Sequence, residues 1–242
     1  MNFLVAASRG GGLAKKIQGY EVIDAVFPGA KLEYLTEKAV KMIPPPQPHG
    51  ETPHIYIMAG LTDITTLHKT STNHNKYKEV TLDGNPAEII SRVCSEIDKC
   101  ARAIADAGAT PCFCTITYSY IEKYNHHLLK EHMTNTLLHQ DKYKDMQANL
   151  IPVIDEINHH ITNINHSYNM STPFCHTAIR KKHGTKPRHY YKYDHKMLKD
   201  GVHGEYITRV KWAKAIQGAM ENNRGDVENR SPKRSWRREH RN

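Results

Sequence analysis

Three short stretches, far apart in the chain, carry residue types that together could make a hydrolytic site. They are Ala6-Ala7-Ser8 before a run of glycines, Gly60-Leu61-Thr62-Asp63 in the middle, and Asp200-Gly201-Val202-His203 near the end. Acyl transfer through a serine needs a histidine to take the hydroxyl proton, an acid to hold that histidine in the right tautomer, and donors aimed at the developing oxyanion. Each of these parts is on offer at a predicted strand end or in a late loop. Asp200 and His203, three residues apart at the start of a helical pattern, can lie on one side of it. Taken singly, each stretch has a plainer reading: a serine beside glycines is commonly a helix cap, and Asp-Gly is commonly a β-turn. Their order and combination carry the argument.

The elements that must bring these stretches together follow from hydrophobic periodicity. Residues 3–7 form a short apolar run that predicts a strand; after Gly10-Gly11-Gly12, Leu13, Ile17 and Tyr20 recur at nearly helical spacing. Residues 21–26 predict a second strand, Phe27-Pro28-Gly29-Ala30 a turn, and Leu32, Leu35, Ala39, Val40 and Ile43 a helix stopped by three prolines. The run 54–59 is apolar and β-rich, as a strand buried on both faces should be, whereas polar residues 68–77 read as an exposed loop. A helix over 87–107, a strand over 110–117, a long helix over 143–164, a last strand over 172–176, a basic loop over 181–193 and a final helix ending near Met220 complete the pattern. Strands alternating with helices predict a three-layer α/β/α sandwich around a central, mostly parallel sheet, of the flavodoxin-like kind. In such sheets ligands bind beyond the carboxyl ends of the strands, where Ser8, the Gly60 stretch and the Asp200 stretch all fall.

The 242 residues, 38% of them hydrophobic, fit one domain, expected over residues 1–221. No run approaches the roughly 18 to 20 apolar residues of a membrane span, and the N-terminus lacks the look of a signal peptide, so an intracellular protein, cytoplasmic or nuclear, is expected. The five cysteines are odd in number and form no CxxC pair, which favours free, mostly buried thiols. His126-His127 and His159-His160 are sequence neighbours whose rings would diverge on a helix, so neither a metal nor a cofactor is expected. A formal charge of +9 favours polyanionic partners. Residues 222–242 form a basic tail expected to be disordered when free. Its Arg230, Lys233, Arg234, Trp236, Arg237 and Arg238 suit phosphate contacts plus one base-stacking ring, or a nuclear-localisation signal, or a merely solvated end. The basic run from Arg180 to Lys192 is a second candidate nucleic-acid surface, or an exposed loop.

There is no Gly-x-Ser-x-Gly segment around Ser8, which argues against the nucleophile elbow of the α/β-hydrolases. The order and spacing resemble instead the SGNH (GDSL-type) hydrolases: a serine in the first strand-to-helix turn, a glycine in the second block, Gly-x-Asn-Asp after a middle strand and Asp-x-x-His near the end. The resemblance implies Ser8 as nucleophile, His203 as its general base and Asp200 as the acid that orients it. It also implies an oxyanion hole from the N–H groups of Ser8 and Gly29, with Thr62 at the position of the family's side-chain amide. Two departures stand out. This chain has Ala-Ala-Ser for Gly-Asp-Ser, and Thr62 has a shorter side chain than asparagine. The implied activity is that of an esterase acting on a small ester or acylated substrate, such as an acetyl ester. The alternative is the same fold with a decayed site, holding nucleic acid or a protein partner through its basic segments. With its degenerate motifs the chain also resembles the esterase-like domains of some retroelements and viruses.

Overall fold

A computed structural model describes residues 1–45, 51–71, 76–129, 140–183 and 190–228. Four strands make the central sheet: β1 (Asn2–Ala6), β2 (Val22–Val26), β3 (His54–Met58) and, later, β6 (Thr110–Phe113). Their order is β2-β1-β3-β6 and every pairing is parallel, with Leu4 facing Asp24 on one side and Tyr56 on the other. The inner strands β1 and β3 are apolar and buried along almost their whole length, as a sheet covered on both faces requires.

Helix α1 (Leu32–Met42) packs on α3 (Pro86–Asp106), and α3 on α5 (Gln140–Ser167). Helix α3 starts with Asn85 capping the Glu88 N–H and Pro86 in the first turn, where its missing N–H costs nothing. Ile57, Leu32, Ile97, Phe113 and Ile161 meet beneath these helices. On the other face α6 (Tyr206–Glu228) covers the sheet, where Asn223 donates to the Tyr56 hydroxyl at 3.0 Å. The result is the expected three-layer arrangement around a parallel sheet. No helix among the described residues is long and apolar enough to cross a membrane.

Five local expectations change. Residues 13–20 form no α-helix, only a short three-ten turn at Ala14–Lys16, because Gly12 and Gly19 take positive φ on either side. The polar stretch after the Gly60 block is a hairpin, β4 (Thr65–Ser71) with β5 (Lys76–Leu82), reached through the single-turn α2 (Leu61–Ile64). Residues 172–176 add no strand. Pro173 cannot donate to a ladder, and the free edge of β6 is closed by α5 instead. There the Asn165 amide brackets the N–H and C=O of Phe113 at 2.8 Å each, and Asn158 does the same for Ile116 at 2.6 and 2.9 Å. The basic loop contains a second hairpin, β7 (Arg180–His183) with β8 (Tyr190–Tyr193). Finally, α6 runs past Asn222 to Glu228, so the segment beginning at 222 is helical at its start. Arg230, Lys233, Arg234, Trp236, Arg237 and Arg238 lie outside the described residues. The remaining helix, α4 (Ile121–Leu129), packs against β5.

Candidate active site

Ser8 follows β1 directly, at the start of a three-ten turn, so the parallel sheet delivers its hydroxyl to the carboxyl edge. The chain after the β7–β8 hairpin brings His203 to the same edge, with Nε2 3.2 Å from Ser8 Oγ although 195 residues separate them. His203 Nδ1 lies 2.6 Å from Asp200 Oδ2. The other oxygen of Asp200 accepts the N–H groups of Val202 at 2.9 Å and His203 at 2.7 Å, so one carboxylate shapes its own loop and orients the imidazole. Burial pulls the Asp200 pKa upward, but these N–H groups and the imidazole outweigh it and hold the acid below the ordinary carboxylate value.

The loop is braced from behind. Gly201 sits at φ 96°, and a Cβ there would lie 2.3 Å from the Tyr120 carbonyl oxygen. Glycine therefore permits the close approach that lets Tyr120 N–H donate to the Gly201 carbonyl at 2.7 Å. Lys123 adds a bond to the Leu198 carbonyl at 2.7 Å.

Arg9, the residue after Ser8, is a member of this brace that sequence reasoning missed. Its guanidinium donates to the Thr117 carbonyl at 2.8 Å, and also to the hydroxyls of Thr117 and Ser119. Its Nε is buried without a partner. Burial lowers its pKa to about 10, against the opposing pull of Asp200. The signal available in the sequence was an arginine at a position where the chain is about to be buried, which alone does not separate a brace from a surface charge.

On the oxyanion side the pieces are fewer. Phe27-Pro28-Gly29-Ala30 is a turn closed by Ala30 N–H on the Phe27 carbonyl at 3.1 Å, with Pro28 second and Gly29 third at φ 75°, the type II pattern. That bond uses the Ala30 N–H and leaves the Gly29 N–H outside it, beside the cavity that Ser8 also lines. Thr62 borders the same cavity, but its hydroxyl donates to the Ala30 carbonyl at 2.6 Å, so its proton is not aimed at a substrate. Asp63 is buried and accepts only the Leu32 N–H, through its two oxygens at 3.1 and 3.3 Å; it thereby anchors the start of α1.

The cavity has a volume of about 510 Å³ and is bounded by Ser8, Arg9, Gly29, Thr62 and His203 together with both strands of the β4–β5 hairpin. Among the described residues, no group of three histidine, cysteine or acidic side chains is placed to hold a metal ion.

Compared by sequence, the chain matches no protein-family model and no curated protein. Compared by structure, it is similar to a protein of Bacteroides fragilis classed as a candidate acylhydrolase, with a TM-score of 0.56 at 11% identity over 92% of this chain and 86% of that one. A GDSL-like lipase from Bacteroides thetaiotaomicron superposes with a TM-score of 0.55 at 10% identity, covering 92% of this chain and 88% of the lipase. A member of the lipolytic G-D-S-L family from Veillonella parvula gives 0.53 at 10% identity, covering 91% and 97%. With the parallel sheet, the flanking helices and this likeness over nearly the whole chain, the protein has the SGNH (GDSL-type) hydrolase fold in a divergent form.

Proposed function

We propose that this chain is a serine ester hydrolase of the SGNH type, with Ser8 as nucleophile, His203 as general base and acid, and Asp200 as the residue that orients it. The observation that supports this most is the unbroken relay from Ser8 Oγ to His203 Nε2 at 3.2 Å and from His203 Nδ1 to Asp200 at 2.6 Å. Ser8 Oγ attacks the ester carbonyl carbon while its proton passes to His203 Nε2. The tetrahedral intermediate carries its negative oxygen toward the N–H groups of Ser8 and Gly29. Its collapse breaks the bond to the alcohol oxygen, which takes the proton from His203. A water then repeats the sequence on the acyl-serine, releasing the acid and restoring the Ser8 hydroxyl. No redox step or external electron carrier enters this scheme.

The test is release of nitrophenol from nitrophenyl esters, together with labelling by a fluorophosphonate. The native chain should turn over and be labelled on Ser8, and Ser8→Ala should lose at least about 10³-fold in kcat and all labelling. Equal turnover by the two proteins would remove the proposal.

A further inference from the structure

The cavity beside Ser8 carries more information than the relay does. We infer that the acyl group held there is an aliphatic chain of medium length, laid against the inner face of the β4–β5 hairpin. This rests on the ester-hydrolase reading above.

The hairpin leaves the Gly60 block at Thr65 and returns at Leu82, with Leu67 directly opposite Val80. Side chains directly opposite each other in an antiparallel pair share a face, so Leu67 and Val80 present an apolar pair to one side, and both line the cavity. Val80 is buried, whereas Leu67 is 47% exposed, a large apolar side chain left at the mouth. The hairpin is held in place rather than merely resting there. The Asn125 amide of α4 pairs with both the N–H and the C=O of Val80, at 2.7 and 2.8 Å. Met58, Leu61, Ile116 and Ile121 supply the rest of the apolar wall.

The threonines around the cavity do not make it a sugar site. Thr62 donates to the Ala30 carbonyl, Thr65 to the Leu61 carbonyl, Thr66 to the Asp83 carboxylate and Thr115 to the Pro173 carbonyl. The protons of these four are committed to the protein, so they have little left to offer the hydroxyls of a carbohydrate acceptor, while the fifth, Thr117, takes the Arg9 guanidinium on its hydroxyl oxygen. Among the described residues no aspartate or glutamate lines the cavity, and its fixed cations are Arg9 and Lys31. An acetyl group would leave most of an apolar space of about 510 Å³ unfilled, whereas a chain of several methylenes would displace water from it.

The experiment compares nitrophenyl acetate, octanoate and hexadecanoate on the full chain. Each methylene brought out of water is worth about fourfold, so kcat/KM should rise on the order of 10²-fold or more from acetate to octanoate. It should fall again at hexadecanoate, and a further rise there would overturn the medium length. Leu67→Glu puts a charge on the wall and should cut the octanoate-to-acetate ratio about tenfold; equal losses on both esters would overturn the proposal, as would a native enzyme that prefers acetate. Calorimetry of Ser8→Ala with octanoic acid, set against acetic acid, reads the cavity without turnover. If no ester is hydrolysed yet octanoic acid alone binds, the catalytic reading fails and the cavity inference stands; if octanoic acid does not bind, the inference fails whatever the turnover.

Discussion

The two aspartates that close the Gly60 block and open the Asp200 block end in opposite electrostatic states. Asp200 accepts two backbone N–H groups and an imidazole, and its pKa is held below the ordinary carboxylate value. Asp63 is buried against a single N–H, and its pKa is pushed up from 3.8 to about 6, chiefly by burial. One block is built to keep a charge and aim an imidazole. The other anchors a helix and has turned its threonine hydroxyl into the protein. The difference teaches that, on the proposed mechanism, the proton-transfer half of this site is over-determined while the oxyanion half is reduced to backbone donors.

The sharpest way to break this comparison is to substitute one residue from each half. Asp200→Asn should keep the loop, since an amide oxygen can still accept the Val202 and His203 N–H groups, yet favour the wrong imidazole tautomer. A loss of about 10⁴-fold in kcat is expected. Thr62→Val should leave kcat within about twofold, because the hydroxyl it removes serves Ala30 rather than a substrate. Steady-state kinetics on both variants decide the matter. If Thr62→Val instead falls by the 10² to 10³ of a lost oxyanion donor, the two halves are not unequal in this way.

A smaller effect is expected from the brace. Arg9 ties the Ser8 turn to residues 117–119, and the next residue, Tyr120, holds Gly201. Arg9→Met should therefore lower kcat by about 10- to 100-fold through misplacement, with KM nearly unchanged. Methionine relieves the desolvation of a buried cation but leaves the Thr117 carbonyl and the buried Thr117 and Ser119 hydroxyls without this donor, so a stability loss of about 1 to 3 kcal/mol is expected. A larger fall of the thermal midpoint, with KM raised as much as kcat is lowered, would mean that Arg9 holds the fold generally and does not position the site.

Much of this arrangement was legible in the sequence, for identifiable reasons. Buried parallel strands read as uninterrupted apolar runs, as at Phe3-Leu4-Val5 and Ile55-Tyr56-Ile57, and the long helices α3 and α5 carry clear stripes. Strand ends and late loops pointed to the Ser8, Gly60 and Asp200 stretches, and the resemblance to the SGNH motif order is what singled out Ser8, Gly29, Asp200 and His203 before any geometry. Strand β4, in contrast, reads TTLHKTS, where one apolar residue in seven gives no alternation; it pairs because α4 and the Asn125 bracket hold its partner. The asparagine brackets on Phe113 of β6 and on Ile116 just beyond it were invisible because a buried amide on an apolar stripe looks like a flaw in the stripe until its backbone partner is known. Thr62, which the resemblance puts at the oxyanion position, does border the cavity, but the direction of its proton depends on the Ala30 carbonyl, which only the fold brings near.

The smallest effect concerns Asp63 and is read in stability rather than in rate. Its folded pKa of about 6 lies above the 3.8 it has in the open, so between these values the folded chain holds a proton that the unfolded chain has released. The contribution is therefore complete below pH 3.8 and is lost as pH rises to about 6, beyond which the buried carboxylate is a constant cost. The raised pKa corresponds to a loss on the order of 2 to 3 kcal/mol. Asp63→Asn keeps an oxygen for the Leu32 N–H and carries no charge at any pH, so the variant should gain stability over the native chain at pH 8 but not at pH 4. Urea unfolding of both proteins at the two pH values isolates this group, because every other titration is common to them. A stability difference that does not change between the two pH values would mean that Asp63 ionises as an exposed carboxylate does, and the contrast with Asp200 would lose its electrostatic basis.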